Sequence, residues 1–306
     1  MKVSICALTY QRPHGLARLL EGLNGLTFED APPEIRIVIV DNDPSGSGRA
    51  TCERLAPALR WPLVYVVEPR RGIAFGRNAA LDNAGDADWL CFIDDDEAPD
   101  ARWLNELLRV QREHDADVVA GPVIPVLPDD TPAWIIRGRF FHRRRHATGH
   151  RLSHAFTNNV LFRSGLLAEL NLRFDEQWAL LGCGDRHFFQ RIGMAGYRIV
   201  WADEAIVSEW IPASRANARW LIQRMFRVGI TTSLVETQLR SRAKMVPILL
   251  AKSGVWILIG LGQALSGLVR GWHAVVQGLR SATYAVGLVL GIFGLRYEEY
   301  RKTHGH

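Results

Sequence analysis

Cysteine, secretory features and surplus charge are all scarce in this chain of 306 residues. Its four cysteines (Cys6, Cys52, Cys91 and Cys183) are scattered, and no two stand at metal-ligand spacing. That excludes a zinc ribbon or a disulfide scaffold. Cys6 and Cys91 lie inside apolar, strand-like runs, where a thiol behaves as a small buried hydrophobe, so a reducing compartment is expected. At the N-terminus only six residues, Val3 to Leu8, precede polar sequence. This is too short for the apolar core of a signal peptide and suits a first strand. Lys and Arg number 37 against 32 acids, a formal charge of +5. Such an excess is too mild to imply nucleic acid, and none is expected as a partner. A membrane surface or a phosphorylated substrate accounts for it equally well.

The remainder is globular in composition, 48% hydrophobic and 23% charged, with room for one large α/β domain or two smaller ones. Up to about residue 120, strand-like and helix-like stretches alternate. KVSICAL, IRIVIV, LVYVV, DWLCFI and DVVAGPVIPVLP read as strands. PHGLARLLEGLNGL, AFGRNAALDNA and DARWLNELLRVQREH read as helices between them. Continuous β-branched runs alternating with helices predict a mostly parallel sheet, whose ligands bind beyond the carboxyl ends of the strands. Thr9, Tyr10 and Arg12, then Asp41 to Asp43, then Asp94 to Asp96 gather at three such ends. The segment 137–151 holds six arginines and three histidines. It reads as a solvated loop or as a seat for phosphate or anionic lipid. Gly149 and the surrounding arginines argue against zinc at His142, His146 and His150.

After residue 214 the character changes, and a division into 1–214 and 215–306 is expected. Trp220, Leu221, Met225 and Val228 recur at helical spacing with Arg219, Arg224 and Arg227 between them, as in a core-packing or interfacial helix. Two apolar stretches follow, Val246 to Val269 with one charge (Lys252) and Ala274 to Leu295 with one charge (Arg280). Each reaches the roughly 20 residues that a bilayer crossing needs. Gly287 and Gly291 form a GxxxG pair, which permits close helix approach. Arg240, Arg242 and Lys244 before the pair, and Arg296, Arg301 and Lys302 after it, keep both ends on the cytoplasmic side. A hairpin, spanning or half-inserted, is predicted.

The apolar run WLCFI ends in four acids, Asp94, Asp95, Asp96 and Glu97. Side chains of a strand alternate faces, so Asp94 and Asp96 are expected to point the same way and Asp95 the opposite way. Two carboxylates at a strand end make a hard-oxygen site for Mg²⁺ or Mn²⁺, with a diphosphate completing the shell.

The motifs VSICALTYQRP, IVIVDND, RRGIAFGRNAAL, FIDDDE, TNNVLFR and GDRHFFQRIGMAGYRIVWAD occur in the order seen in glycosyltransferase family 2. Over residues 1–230 the chain resembles that family, in particular the bacterial polysaccharide-assembly branch with the succinoglycan glucosyltransferases. The resemblance implies a GT-A fold, a nucleotide-sugar donor, a divalent metal and inversion at the anomeric carbon. It implies that Thr9, Tyr10 and Arg12 line the nucleotide pocket, and that Asp41 accepts a hydrogen bond from uracil. Arg77 and Asn78 then lie beside the nucleotide and its phosphates, Asp94 near the ribose, and Asp96 with Asp94 at the metal. A uridine diphosphate donor, with glucose or another hexose, and a lipid-linked or polysaccharide acceptor at the cytoplasmic face of the bacterial inner membrane follow from it. The catalytic base departs from the family: its usual Glu-Asp is Gly184-Asp185 here, so Asp185 alone would take the acceptor proton, with Glu209 next in line. The segment VSEWIP lacks the histidine many relatives carry. Two other readings stand beside this one. A non-catalytic GT-A-like binding protein is favoured only by Gly184. A sugar-phosphate nucleotidyltransferase wants a glycine-rich phosphate loop where this chain has TYQRPHG.

Overall fold

The computed structural model describes residues 1–297. In chain order its first half comprises β1 (Lys2–Thr9), α1 (Pro13–Asn24), β2 (Glu34–Asp41), α2 (Arg49–Leu55), β3 (Leu63–Val67), α3 (Ile73–Asn83), β4 (Trp89–Phe92), β5 (Glu97–Pro99), α4 (Trp103–His114), β6 (Val118–Ala120) and β7 (Val123–Val126). There follow α5 (Ala133–Gly138), β8 (Val160–Arg163), α6 (Leu166–Glu169), α7 (Gly184–Met194), β9 (Ile199–Trp201), β10 (Val207–Trp210), α8 (Ala218–Leu239), α9 (Arg242–Arg270) and α10 (Trp272–Ile292). Pro13 opens α1, where its missing N–H would have had no helical partner. The strands form where the β-branched runs stand; the central ones are buried on both faces, while β3 at the sheet edge is half-buried.

The main sheet has seven strands in the order β3-β2-β1-β4-β8-β6-β9, with β8 alone running against its neighbours. Alternation along β1 assigns its side chains to two layers. Val3, Ile5 and Ala7 pack with Leu16, Leu19, Trp103 and Leu107 from α1 and α4. Cys6 packs on the other side with Ala74, Phe162, Phe188 and Phe189. All four cysteines are buried and unpaired.

The run expected as a fifth strand is divided. β6 joins the main sheet, while β7, past Gly121 and Pro122, joins a second sheet in the order β5-β10-β7. Pro122 cannot donate to a ladder, and a Cβ at Gly121 would stand 2.4 Å from the Ala205 carbonyl oxygen. This small sheet lies beside the acidic turn and carries Glu209 to it.

The two apolar stretches form α9 and α10, which are long and apolar enough to cross a membrane. Arg301 and Lys302, expected to flank them, lie outside the described residues.

Candidate active site

β1 leads into α1 on one side, while β4, its other neighbour, arrives from a different crossover. The strand order therefore switches between them, and a cleft opens outside their carboxyl ends. Its volume is about 280 Å³. Leu8, Thr9, Tyr10 and Arg12 line it from the end of β1, Asn42 from β2, and Arg71, Gly72 and Ile73 from the start of α3. Gly72 has φ +146°, and a Cβ there would stand 2.6 Å from that of Ala179, so only glycine fits this entry to the helix. Opposite lie Asp94, Asp95 and Asp96, then Glu209 of β10, and Arg215, Trp220, Arg224 and Arg227 at and along α8.

All three aspartates face the cleft, contrary to the expected alternation. β4 ends at Phe92, and Asp94 to Glu97 form a turn in which the Glu97 N–H reaches the Asp94 carbonyl at 3.2 Å. A turn does not alternate faces. The Asp95 carboxylate is fully engaged: Thr9 Oγ1 donates to Oδ2 at 2.9 Å and Arg12 Nη1 to Oδ1 at 2.9 Å. The same Arg12 nitrogen donates to Asp96 Oδ2 at 3.0 Å, and Arg215 Nη1 lies 3.6 Å from that oxygen. Arg215 also lies 3.7 Å from Glu209, which accepts from Arg143 at 2.8 Å. Acids and arginines thus interleave, each charge held by the other sign.

The balance is incomplete in two places. Burial, then the charge of Asp96, pushes the Asp94 carboxyl up to about 7 despite the opposing charge of Arg77. Burial likewise pushes Asp95 up to about 6 and Glu97 well above the usual carboxylate range. On the facing wall, burial and then the charge of Arg143 depress Arg224 to about 9. Cation-starved acids opposite an anion-starved arginine suit a divalent metal bound together with a phosphorylated ligand. The donor set fits. No group among the described residues is recorded donating a hydrogen bond to the Asp94 carboxylate. No ready-made cage of three ligands exists among the described residues, as expected where substrate phosphates complete a Mg²⁺ shell.

Other expected site residues lie elsewhere. The Asp41 carboxylate is buried and accepts from the N–H groups of Asp43 (3.0 Å) and Gly48 (2.6 Å) and from Tyr65 Oη (2.7 Å). It shapes the loop after β2, and Asn42 is the residue that reaches the cleft. Asn78 clamps the Phe174 backbone through both amide atoms, at 2.8 and 2.9 Å. Arg77 is buried behind the acidic turn, donates to Thr157 and lies over the Phe174 ring. Asp185 sits in the first turn of α7, where its carboxylate accepts the Arg186 N–H at 2.7 Å. It is not part of the cleft lining.

Sequence reading missed the arginine wall. Its signal was present: Trp220, Arg224 and Arg227 stand at i, i+4 and i+7, one face of α8. The expected boundary at 214 cuts through the site, because Arg215 and α8 supply a whole wall.

Comparison with known proteins bears on the family and the fold. The description Glycosyl transferase family 2 matches residues 4–170, over half of the chain. The chain belongs to glycosyltransferase family 2. The succinoglycan biosynthesis protein ExoM of Rhizobium meliloti (strain 1021) is 30% identical over 292 residues, covering 95% of this chain and 85% of that protein. In structure, the S. aureus TarS 1-349 complex with UDP aligns at a TM-score of 0.54 and 17% identity, covering 97% of this chain and 93% of that one. Against the longer TarS crystal structure the match covers 75% of this chain and only 39% of that one. At such identity TarS establishes the fold alone, a GT-A-like α/β layout. As a family 2 glycosyltransferase, the chain carries Thr9, Asp94 and Asp96 inside the matched residues, and Asp185, Glu209 and α8 beyond them.

Proposed function

We propose that this glycosyltransferase inverts and transfers a hexose from a UDP-sugar, with UDP-glucose the first choice, to a lipid-linked or polysaccharide acceptor at the cytoplasmic face of the bacterial inner membrane. The observation that carries the reading is the acidic turn facing an arginine wall across one cleft, on a helix that continues into an apolar bundle. The polysaccharide role of ExoM and the UDP bound by TarS support the choice of acceptor and donor.

Asp94 and Asp96 would hold Mg²⁺ or Mn²⁺, which when bound neutralises charge on the departing diphosphate. Thr9 and Arg12 fix Asp95 and so the shape of the turn. Tyr10 and Arg71, whose guanidinium lies 5.3 Å over the Tyr10 ring, form the base-proximal side. Arg224 and Arg227 face the phosphates, where a planar guanidinium pairs well with a diphosphate oxygen pair. The acceptor hydroxyl oxygen attacks the anomeric carbon, the bond to UDP breaks on the opposite face, and a carboxylate takes the hydroxyl proton.

Asp185 is the proposed base, and Glu209 is favoured as a second reading by its place on the cleft wall. The two separate by substitution. Asp185→Asn keeps the helix start, since Asn serves that position as well as Asp. If Asp185 is the base, turnover falls about 10²–10⁴-fold with donor affinity intact, and Glu209→Gln changes it far less. Wild-type turnover by Asp185→Asn moves the role to Glu209.

The donor is tested by a panel of UDP-, GDP- and dTDP-sugars with Mn²⁺ or Mg²⁺, reading nucleotide release. UDP-hexose turnover is expected. Tighter binding of GDP or dTDP by calorimetry refutes the uridine assignment, and no turnover of any donor returns the chain to a binding protein.

A further inference from the structure

α8 rests on the catalytic layers along its whole length. Near its start Leu221 packs with Ile135, Phe141 and Ile211. In its middle Arg224 and Arg227 line the cleft. Near its end Glu236 accepts from Arg186 Nη2 at 2.8 Å, and Val235 packs on Trp178 and Cys183.

α10 runs parallel to α8 on its far side. Thr283 Oγ1 contacts the Ile222 carbonyl at 3.4 Å, a Cβ at Gly287 would stand 2.1 Å from the Phe226 carbonyl oxygen, and one at Gly291 would stand 2.5 Å from that of Ile230. α9 then runs antiparallel along α10, with Ser253 Oγ donating to the Ala285 carbonyl at 3.0 Å and Gly260 against Gly278. From inside to outside the order is α7, α8, α10, α9. Among the described residues, none covers the outer face of α9. Ile248, Val255, Leu258, Leu261, Leu265 and Leu268 recur along it every three to seven residues, from 55% to 90% exposed.

Resting on the membrane reading above, we propose that α9 docks flat on an anionic bilayer, immersed at the boundary of headgroups and acyl chains, and that the hairpin does not cross the membrane. Three observations select this pose. Because α10 lies parallel to α8, a crossing α10 would carry α8, about 33 Å long at 1.5 Å per residue, into hydrocarbon with Arg224, Arg227 and Glu236. Lys252 is exposed ten residues after Arg242, about 15 Å along the axis and so near mid-depth of a crossing helix, whereas in the plane its ammonium reaches the headgroups. Six exposed basic side chains (Arg240, Arg242, Lys244, Lys252, Arg270 and Arg296) and no acid stand in residues 237–297, which matches anionic lipid. The cleft then stands two helix layers, about 20 Å, above the lipid, a height suited to an acceptor that extends from the bilayer on its own glycan.

The test uses the full-length protein, whose native cysteines are all buried. Arg270→Cys places a thiol beside the α9–α10 turn, and Glu53→Cys places one on the exposed side of α2 as a reference. In bacterial membranes, an impermeant maleimide should label both positions in inside-out vesicles and neither in right-side-out spheroplasts. Labelling of Arg270→Cys from the spheroplast side means the turn has crossed and overturns the in-plane pose while leaving membrane association standing. With vesicles of phosphatidylethanolamine and phosphatidylglycerol, the pair Leu261→Asp and Leu265→Asp should weaken binding at least about tenfold with unchanged thermal stability. Undiminished vesicle binding by that pair removes α9 as the contact. Failure of the unsubstituted protein to bind vesicles at all refutes the membrane reading itself.

Discussion

Trp103, Phe92, Phe162 and Phe188 fill the two faces of the seven-stranded sheet with large side chains, each almost wholly buried. α8, α10 and α9 instead meet through Gly229, Gly287, Gly278 and Gly260, where an added Cβ would lie between 2.1 and 2.8 Å from a facing backbone oxygen. Hydroxyls reinforce these approaches: Ser233 Oγ donates to the Leu288 carbonyl at 2.6 Å, beside the bond from Ser253. The first region is held by area removed from water. The second is held by backbone proximity, dispersion and interhelical hydrogen bonds, the forces that remain when the outer surroundings are as apolar as the side chains. One chain thus uses two packing chemistries, and α8 is the seam between them.

Three substitutions probe that contrast. The largest effect is expected in the aromatic layer. Phe188 stacks on Phe174 at 4.2 Å and meets Phe162 and Phe189 edge-on, so Phe188→Ala should cost about 3–5 kcal/mol in denaturant unfolding. Next is Gly287→Val, which forces α10 off the Phe226 carbonyl. A cost of about 1–3 kcal/mol is expected, with a raised donor KM because α8 forms a cleft wall. No change in either quantity would erase the distinction between the regions.

The third effect is electrostatic, and it is confined to the cleft. Asp94 is pushed up from 3.8 to about 7, first by burial and then by Asp96. Between those values the folded protein holds a proton that the unfolded chain has lost, so metal-free stability should fall as pH rises from about 4 to about 7. Asp94→Asn should flatten that slope in thermal melts recorded in chelator. A slope unaltered by this change would place the proton on another acid of the cluster.

Local pattern in the sequence specifies the first four parallel strands, the helices α1, α3 and α4, and the length of the two C-terminal helices. These depend on period, branching and capping among residues close in the chain, which is information a sequence carries locally. It also held the residues of the family resemblance, Thr9, Tyr10, Arg12, Asp94 and Asp96, all of which reach one cleft because they stand at adjacent strand ends. The remaining features arise from contacts made on folding. Ending β4 at Phe92 turned Asp95 toward Arg12, and hydrogen bonds from Asp43, Gly48 and Tyr65 turned Asp41 inward. Pairing β10 with β5 brought Glu209 beside the acids, and docking α8 across the cleft converted three spaced residues into a wall. The parallel course of α10 on α8 decided that the apolar hairpin lies along the protein. Each of these depends on contacts between segments distant in sequence, where strand order and helix packing set direction and no local pattern records it.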